Sequence, residues 1–254
     1  MQATKPPLSS ARHQGIKTHL YLIGNSTEGN CVSADESLLD ALLLSAVHLT
    51  WEDCSWKGLL KYDVTMCETK IIGGEKDLLN QFNDKWNLSF PAEFEKNTLQ
   101  PLGPEKPTHM KILRENLLFC IASGEKESCQ SQLIPSHAIP MHGFLILVNV
   151  NPVEYGHIFL VPYGTKQRQE FWHKEMFYLI SRFAKENCNC SLKVFFLKSS
   201  STTPDYAYFQ AAYFANHLPV ELLTVINVYD CKDNKGVSIS ELADYPLKTM
   251  LFTS

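Results

Sequence analysis

Apolar positions recur along this chain with two periods, one helical and one of strands. Ser33 and Glu36 stand at the spacing of a capping box, in which the serine side chain caps a helical amide and the glutamate reaches back. Behind them Leu38, Leu39, Leu42, Leu43 and Ala46 fall three or four residues apart, which predicts a helix or helix pair over about 35–60 with its leucine stripe in the core. A second amphipathic helix is predicted over 167–186, with Trp172, Met176, Leu179, Ile180 and Phe183 on the buried stripe and His173 solvated beside it. Residues 62–72 alternate, are β-rich and end on Gly73-Gly74, as a strand before a turn does. Residues 117–122 form a short strand candidate. Residues 144–150 are a continuous apolar run, the pattern of a buried strand. Asn151-Pro152 turns the chain, and 154–162 supplies the return strand of a hairpin, with Gly156 allowing a close backbone approach. Residues 222–228 are an apolar strand or helix, followed by a polar turn over 230–235.

Between these elements the polar stretches read as connections. Residues 1–30 are mostly polar and predict a loose tail, within which the apolar residues of 16–23 pack on the domain. Pro101, Pro104 and Pro107 mark a loop, and 126–136 reads as a surface excursion. His137 and His142 lie in a proline-punctuated segment and read as loop residues.

One further stretch carries more than packing. Asp205 to Gln210, rich in Tyr and Phe, predicts a half-buried strand that starts near Asp205, with Pro204 before it. Alternation points Tyr206, Tyr208 and Gln210 one way and Ala207, Phe209 and Ala211 the other. A face with two phenols and an amide can line a polar cleft.

Read as a whole, DYAYFQAAYFANHLPVE resembles the active-site strand of the GDP-L-galactose / GDP-D-glucose phosphorylase family, in its plant-like form, within the histidine triad (HIT) superfamily. That family carries N-H-x-H-F-Q-A-Y-Y followed by P-x-E. Phe209, Gln210, Ala211, Tyr213, Pro219 and Glu221 match it, whereas Tyr206 and Tyr208 stand at the two histidine positions. The resemblance extends to Y-D-V-T-x-C-E-T-K-x-I-x-G at 62–74, to N-V-x-P-x-E-Y-G-H-x-x-L-x-P at 149–162, and to 236–246. It implies an α+β fold, with a HIT-like antiparallel sheet flanked by helices over 34–254 and a mostly flexible tail over 1–33. It also implies that the chain stops, at Ser254, before a C-terminal portion of the family.

In the resembled reaction the second histidine attacks the α-phosphorus of a GDP-hexose, hexose 1-phosphate leaves, and phosphate then releases GDP from the guanylyl-histidine. In plants this step serves ascorbate synthesis. Imidazole suits the task because it is nucleophilic while neutral near pH 7. The resemblance places Tyr208 at the nucleophile, Tyr206 at the first histidine, and Gln210 at an amide that orients the nucleophile and stabilises phosphoryl oxygens. It gives His157 a scaffold role. A phenol, with an ordinary pKa of about 10, supplies little nucleophile at neutral pH. Two further departures point the same way. A basic region of the family reads Asn83-Asp84-Lys85-Trp86-Asn87-Leu88-Ser89-Phe90 here, and its phosphate loop reads Val194-Phe195-Phe196-Leu197-Lys198-Ser199-Ser200-Ser201. The expectation is therefore a phosphorylase-like protein of impaired activity that binds a guanine nucleotide or GDP-hexose, as a homo-oligomer or beside an active relative. The rivals are an active nucleotidyltransferase or hydrolase with unusual residues, and a regulatory binding module.

Composition narrows the setting. The chain has 254 residues and a formal net charge of −4 without a long basic run, which argues against nucleic acid and anionic membranes as partners. The polar first residues argue against a secretory signal, and no apolar run approaches the roughly 18 residues of a membrane span. Eight cysteines in such a chain read as reduced thiols of a cytoplasmic protein. Cys188-Asn189-Cys190 lacks zinc-site spacing, so neither a metal nor a cofactor is expected.

Overall fold

In the computed structural model, the residues described are 17–24, 36–73, 78–85, 114–124, 130–137, 143–162, 174–196, 208–230, 238–243, 245 and 249–253. The apolar run and the glycine-containing return strand form the expected hairpin, β6 (Phe144–Val148) against β7 (Tyr155–Pro162), at the heart of a seven-stranded sheet. The sheet runs β5-β1-β4-β6-β7-β9-β8, where β1 is Thr18–Ile23, β4 Leu117–Ser123, β5 Gln132–Ser136, β8 Leu192–Phe195 and β9 Phe209–Tyr213. All pairings are antiparallel except β1 with β4. Two helices, α1 (Glu36–Trp56) and α2 (Lys174–Glu186), lie against one face. The class is thus α+β, a mainly antiparallel sheet flanked by helices, as the resemblance implied.

Residues on the helix-covered face include Phe119, Ile121, Phe144, Ile146, Ile158 and Leu160, all buried. His48 of α1 sets its ring edge-on to Tyr213 of β9, and Phe177 of α2 meets Phe209. The leucine stripe of α1 is core where its side chains are described, with Leu43, Val47 and Trp51 buried, and α1 is one helix rather than two. The opposite face carries a second buried cluster, Cys120, Leu145, Leu147, Phe159 and Tyr208.

Several expectations change. The segment 16–23 does more than pack on the domain: β1 is an interior strand with Tyr21 and Ile23 buried, held between β4 and β5. Part of the polar excursion over 126–136 is strand β5, at the sheet edge, where prolines such as Pro135 are ordinarily found. Residues 62–72 are not one strand. The Asp63 carboxylate accepts from the Thr65 backbone N–H and hydroxyl, which starts a 3₁₀ turn at Val64–Met66. Only β2 (Glu68–Ile72) is extended, paired with β3 (Leu78–Phe82). The apolar 222–228 segment divides into the end of a short helix, α3 (Pro219–Leu222), and β10 (Val225–Asp230), which pairs with β11 (Ser238–Leu242), itself paired with β12 (Leu251–Thr253). The capping serine, Trp172, His173, His142 and the 230–235 turn beyond Asp230 lie outside the described residues.

The chain divides into two compact units, residues 1–65 with 85–213, which hold the seven-stranded sheet, and residues 66–84 with 214–254, which hold the two small sheets. Among the described residues no helix is long and apolar enough to cross a membrane.

Candidate functional site

The site is built on β7 and β9, on the face turned away from α1 and α2. Alternation holds along β9: Phe209 and Tyr213 face the helices, while Tyr208 and Gln210 face the other way. The strand is not half-buried. All five of its residues are buried, and Tyr208, just before it, is 5% exposed. Of the three residues expected at the site, Tyr208 and Gln210 share this face, and Tyr206 lies outside the described residues. Tyr208 packs among Cys120, Leu145, Leu147 and Phe159, with its ring edge-on to Phe159 at 5.4 Å between centroids. Burial lifts the Cys120 thiol of this cluster to about 12, so it stays a neutral, unreactive member of the core.

His157 joins this row. Gly156 adopts φ +68° at a register shift between Tyr155 and Ile158, and a Cβ there would meet the Tyr213 ring at 2.5 Å. Only glycine fits, and the bulge re-aims the next residue across the strands. His157 Nε2 then stands 2.9 Å from Gln210 Oε1. Its Nδ1 takes the Val153 N–H at 3.1 Å and lies 3.1 Å from Asn149 Nδ2. Its carbonyl accepts from the Asn149 backbone N–H and the Trp51 indole. The Asn149 side chain accepts the Asn151 N–H at 2.9 Å. Complete burial pulls the imidazole down to about 4, opposed by the bond to Gln210. His157 is neutral at physiological pH and serves as a hydrogen-bonding part of the scaffold. Sequence reasoning assigned it that scaffold role and missed its bond to Gln210. It quoted Asn149 within a motif without giving it a task.

Under α1 a separate aromatic cluster backs the same strands. Tyr213 accepts from Asn187 Nδ2 at 2.8 Å, and burial raises its phenol to about 12. Tyr155 donates to Glu52 at 2.5 Å. These contacts fix β7 and β9 from behind. Among the described residues no three His, Cys, Asp or Glu side chains gather as a metal site.

Fold and site together define an α+β protein whose sheet carries a buried His–Gln–Tyr row on the face away from its helices. Residues 38–212 match the family described as "GDPGP1-like, N-terminal domain". GDP-L-galactose phosphorylase 2 of Arabidopsis thaliana is 30% identical over 253 residues, covering 96% of this chain and 57% of the relative. GDP-L-galactose phosphorylase 1 of the same plant is 34% identical over 218 residues, 84% of this chain and 48% of the relative. The chain belongs to this GDPGP1-like, GDP-hexose phosphorylase family. It spans about half the length of these curated relatives. Among solved structures, yeast Ap4A phosphorylase Apa2 in complex with AMP aligns with 80% of this chain and 64% of its own at a TM-score of 0.44 and 14% identity.

Proposed function

We propose that this chain is a guanine-nucleotide-binding member of its family that has lost the covalent transfer step. The observation that carries the reading is Tyr208. It occupies the position where the resemblance puts the nucleophile, and it sits in an apolar cluster with Cys120, Leu145, Leu147 and Phe159. A phenol offers little nucleophile at neutral pH. Loss of a covalent nucleophile costs roughly a million-fold in turnover in other covalent enzymes, or about 8 kcal/mol of transition-state stabilisation. Gln210, held by His157, remains as a contact for phosphoryl oxygens, which supports binding without turnover. In this reading the protein works in the cytosol as a nucleotide sensor or as a partner of an active relative.

The test is release of GDP from GDP-L-galactose and GDP-D-glucose, with added phosphate, by folded protein, together with a calorimetric titration of GDP. Binding without phosphate-dependent release is the expected result. Release at an enzyme-like rate overturns the loss of transfer, and Tyr208→Phe then decides whether the phenol carries it. Absence of heat with GDP overturns the binding.

A further inference from the structure

The smaller unit holds an exposed strand that the candidate site does not use. From Leu222 to Tyr229 the chain carries neither a charge nor a proline, and it is rich in β-branched residues. Its later part is β10, which among the described residues ends its sheet, with β11 beside it. Edge strands are kept from one another by charge, by proline or by a bulge, and β10 has only the bulge, at Val228. The neighbours Val225 and Ile226 are 48% and 47% exposed, and the neighbours Val228 and Tyr229 are 61% and 56% exposed. Successive residues of a strand point to opposite faces, so β10 is open on both. A partner laid on one face would cover half of that apolar surface. A strand added at the edge places side chains beside those of β10 on both faces. Leu222, exposed at the end of α3, lengthens the same apolar stretch.

The placement of charge selects the added strand. Asp230 is the one charged residue of β10 and stands at its C-terminal end. Two parallel copies of this strand would set their Asp230 carboxylates side by side, which is unfavourable. Two antiparallel copies keep the carboxylates at opposite ends, each beside the Val225 end of the other strand. We propose that β10 is a dimerisation edge, pairing antiparallel with β10 of a second copy of this chain so that two three-stranded sheets become one. The pairing joins one edge to itself about a two-fold axis and therefore closes at two copies. The opposite edge of the sheet, β12, is three residues long and offers little to extend it.

Sedimentation of the full chain over a concentration series reads the assembly. The expected result is a monomer–dimer equilibrium with nothing larger. A monomer at every concentration overturns the proposal, and growth beyond the dimer overturns its two-fold closure. Two variants at one exposed position test the direction of pairing. Val225→Lys sets a cation near the partner's Asp230, whereas Val225→Glu sets a second carboxylate there. The dimer contains this pair twice, so the dissociation constant of the glutamate variant should exceed that of the lysine variant by about tenfold. Adding Asp230→Lys to Val225→Glu reverses both charges and should restore the dimer, which also shows that the glutamate variant's loss is not a failure to fold. Equal weakening by lysine and glutamate, without rescue, overturns antiparallel self-pairing and gives the edge to some other occupant. The dimer does not depend on nucleotide binding, and the same series without GDP should give the same result.

Discussion

Burial lowers the His157 imidazole from its ordinary 6.5 to about 4, and this links one residue to the acid limb of stability. Above the ordinary value neither the folded nor the unfolded chain protonates this ring, so it adds no pH dependence. As the pH falls from about 6.5 toward 4, the unfolded chain takes up a proton that the folded one refuses, and stability is lost. A shift of this size corresponds to about 3 kcal/mol. Urea midpoints measured from pH 7 down to 4.5 should fall accordingly, and His157→Gln, which does not titrate, should flatten that fall even if it lowers the plateau. Alternation alone placed Tyr208 and Gln210 on one face. The partner across the strands was not legible, because the bulge at Gly156 shifts the register by a residue and a period of two cannot register an insertion. A motif names His157, but only geometry shows that it meets Gln210 across the strands.

At the scale of elements, the end of α2 ties the sheet together. Glu186 accepts from the Tyr21 hydroxyl of β1 at 2.8 Å, from Ser131 just ahead of β5 at 2.7 Å, and from Arg182 one turn earlier at 2.5 Å. Its side chain is only 13% exposed, and burial together with the Glu186 charge raises the Tyr21 phenol. Removing the carboxylate would strand three donors, so Glu186→Ala should cost about 2–4 kcal/mol in chemical denaturation, and GDP binding by the folded fraction should not change. The strongly periodic elements, α1, α2 and the β6–β7 hairpin, were legible because their own residues supply the buried stripe. Strands β1, β3, β5 and β8 were not predicted. They are only four to six residues long, with polar residues and in β5 a proline, and β1 and β5 find their partners far along the chain, Leu20 against Cys120 and Thr18 against Ser136. Their extended state is imposed by tertiary contacts rather than local preference.

For the whole molecule, the boundary of the family match near residue 212 falls beside the end of the larger unit at Tyr213. No glycine or proline marks that point, since β9 ends without a linker, and so the division into two units was not legible. The smaller unit is built differently. Every residue of β2 is exposed, and in β10 Val225, Ile226, Val228 and Tyr229 keep 47–61% of their surface. β10 lies at the edge of its sheet and presents no charge before Asp230. Uncharged apolar edges bind hydrophobic dyes and one another. Val228→Lys should therefore reduce dye fluorescence and concentration-dependent light scattering, with a change in the stability of the larger unit within about 0.5 kcal/mol.

The placement of β1 sets an order of events. Leu20 pairs with Cys120, so this strand leaves the ribosome a hundred residues ahead of its nearest neighbour in the sheet. Until β4 and β5 are made, Tyr21 and Ile23 have nowhere to be buried, and closing so long a loop is a slow way to finish a sheet. Deleting the first 24 residues as dispensable polar sequence would remove an inner strand, open an edge on β4 and leave β5 without its partner in the sheet.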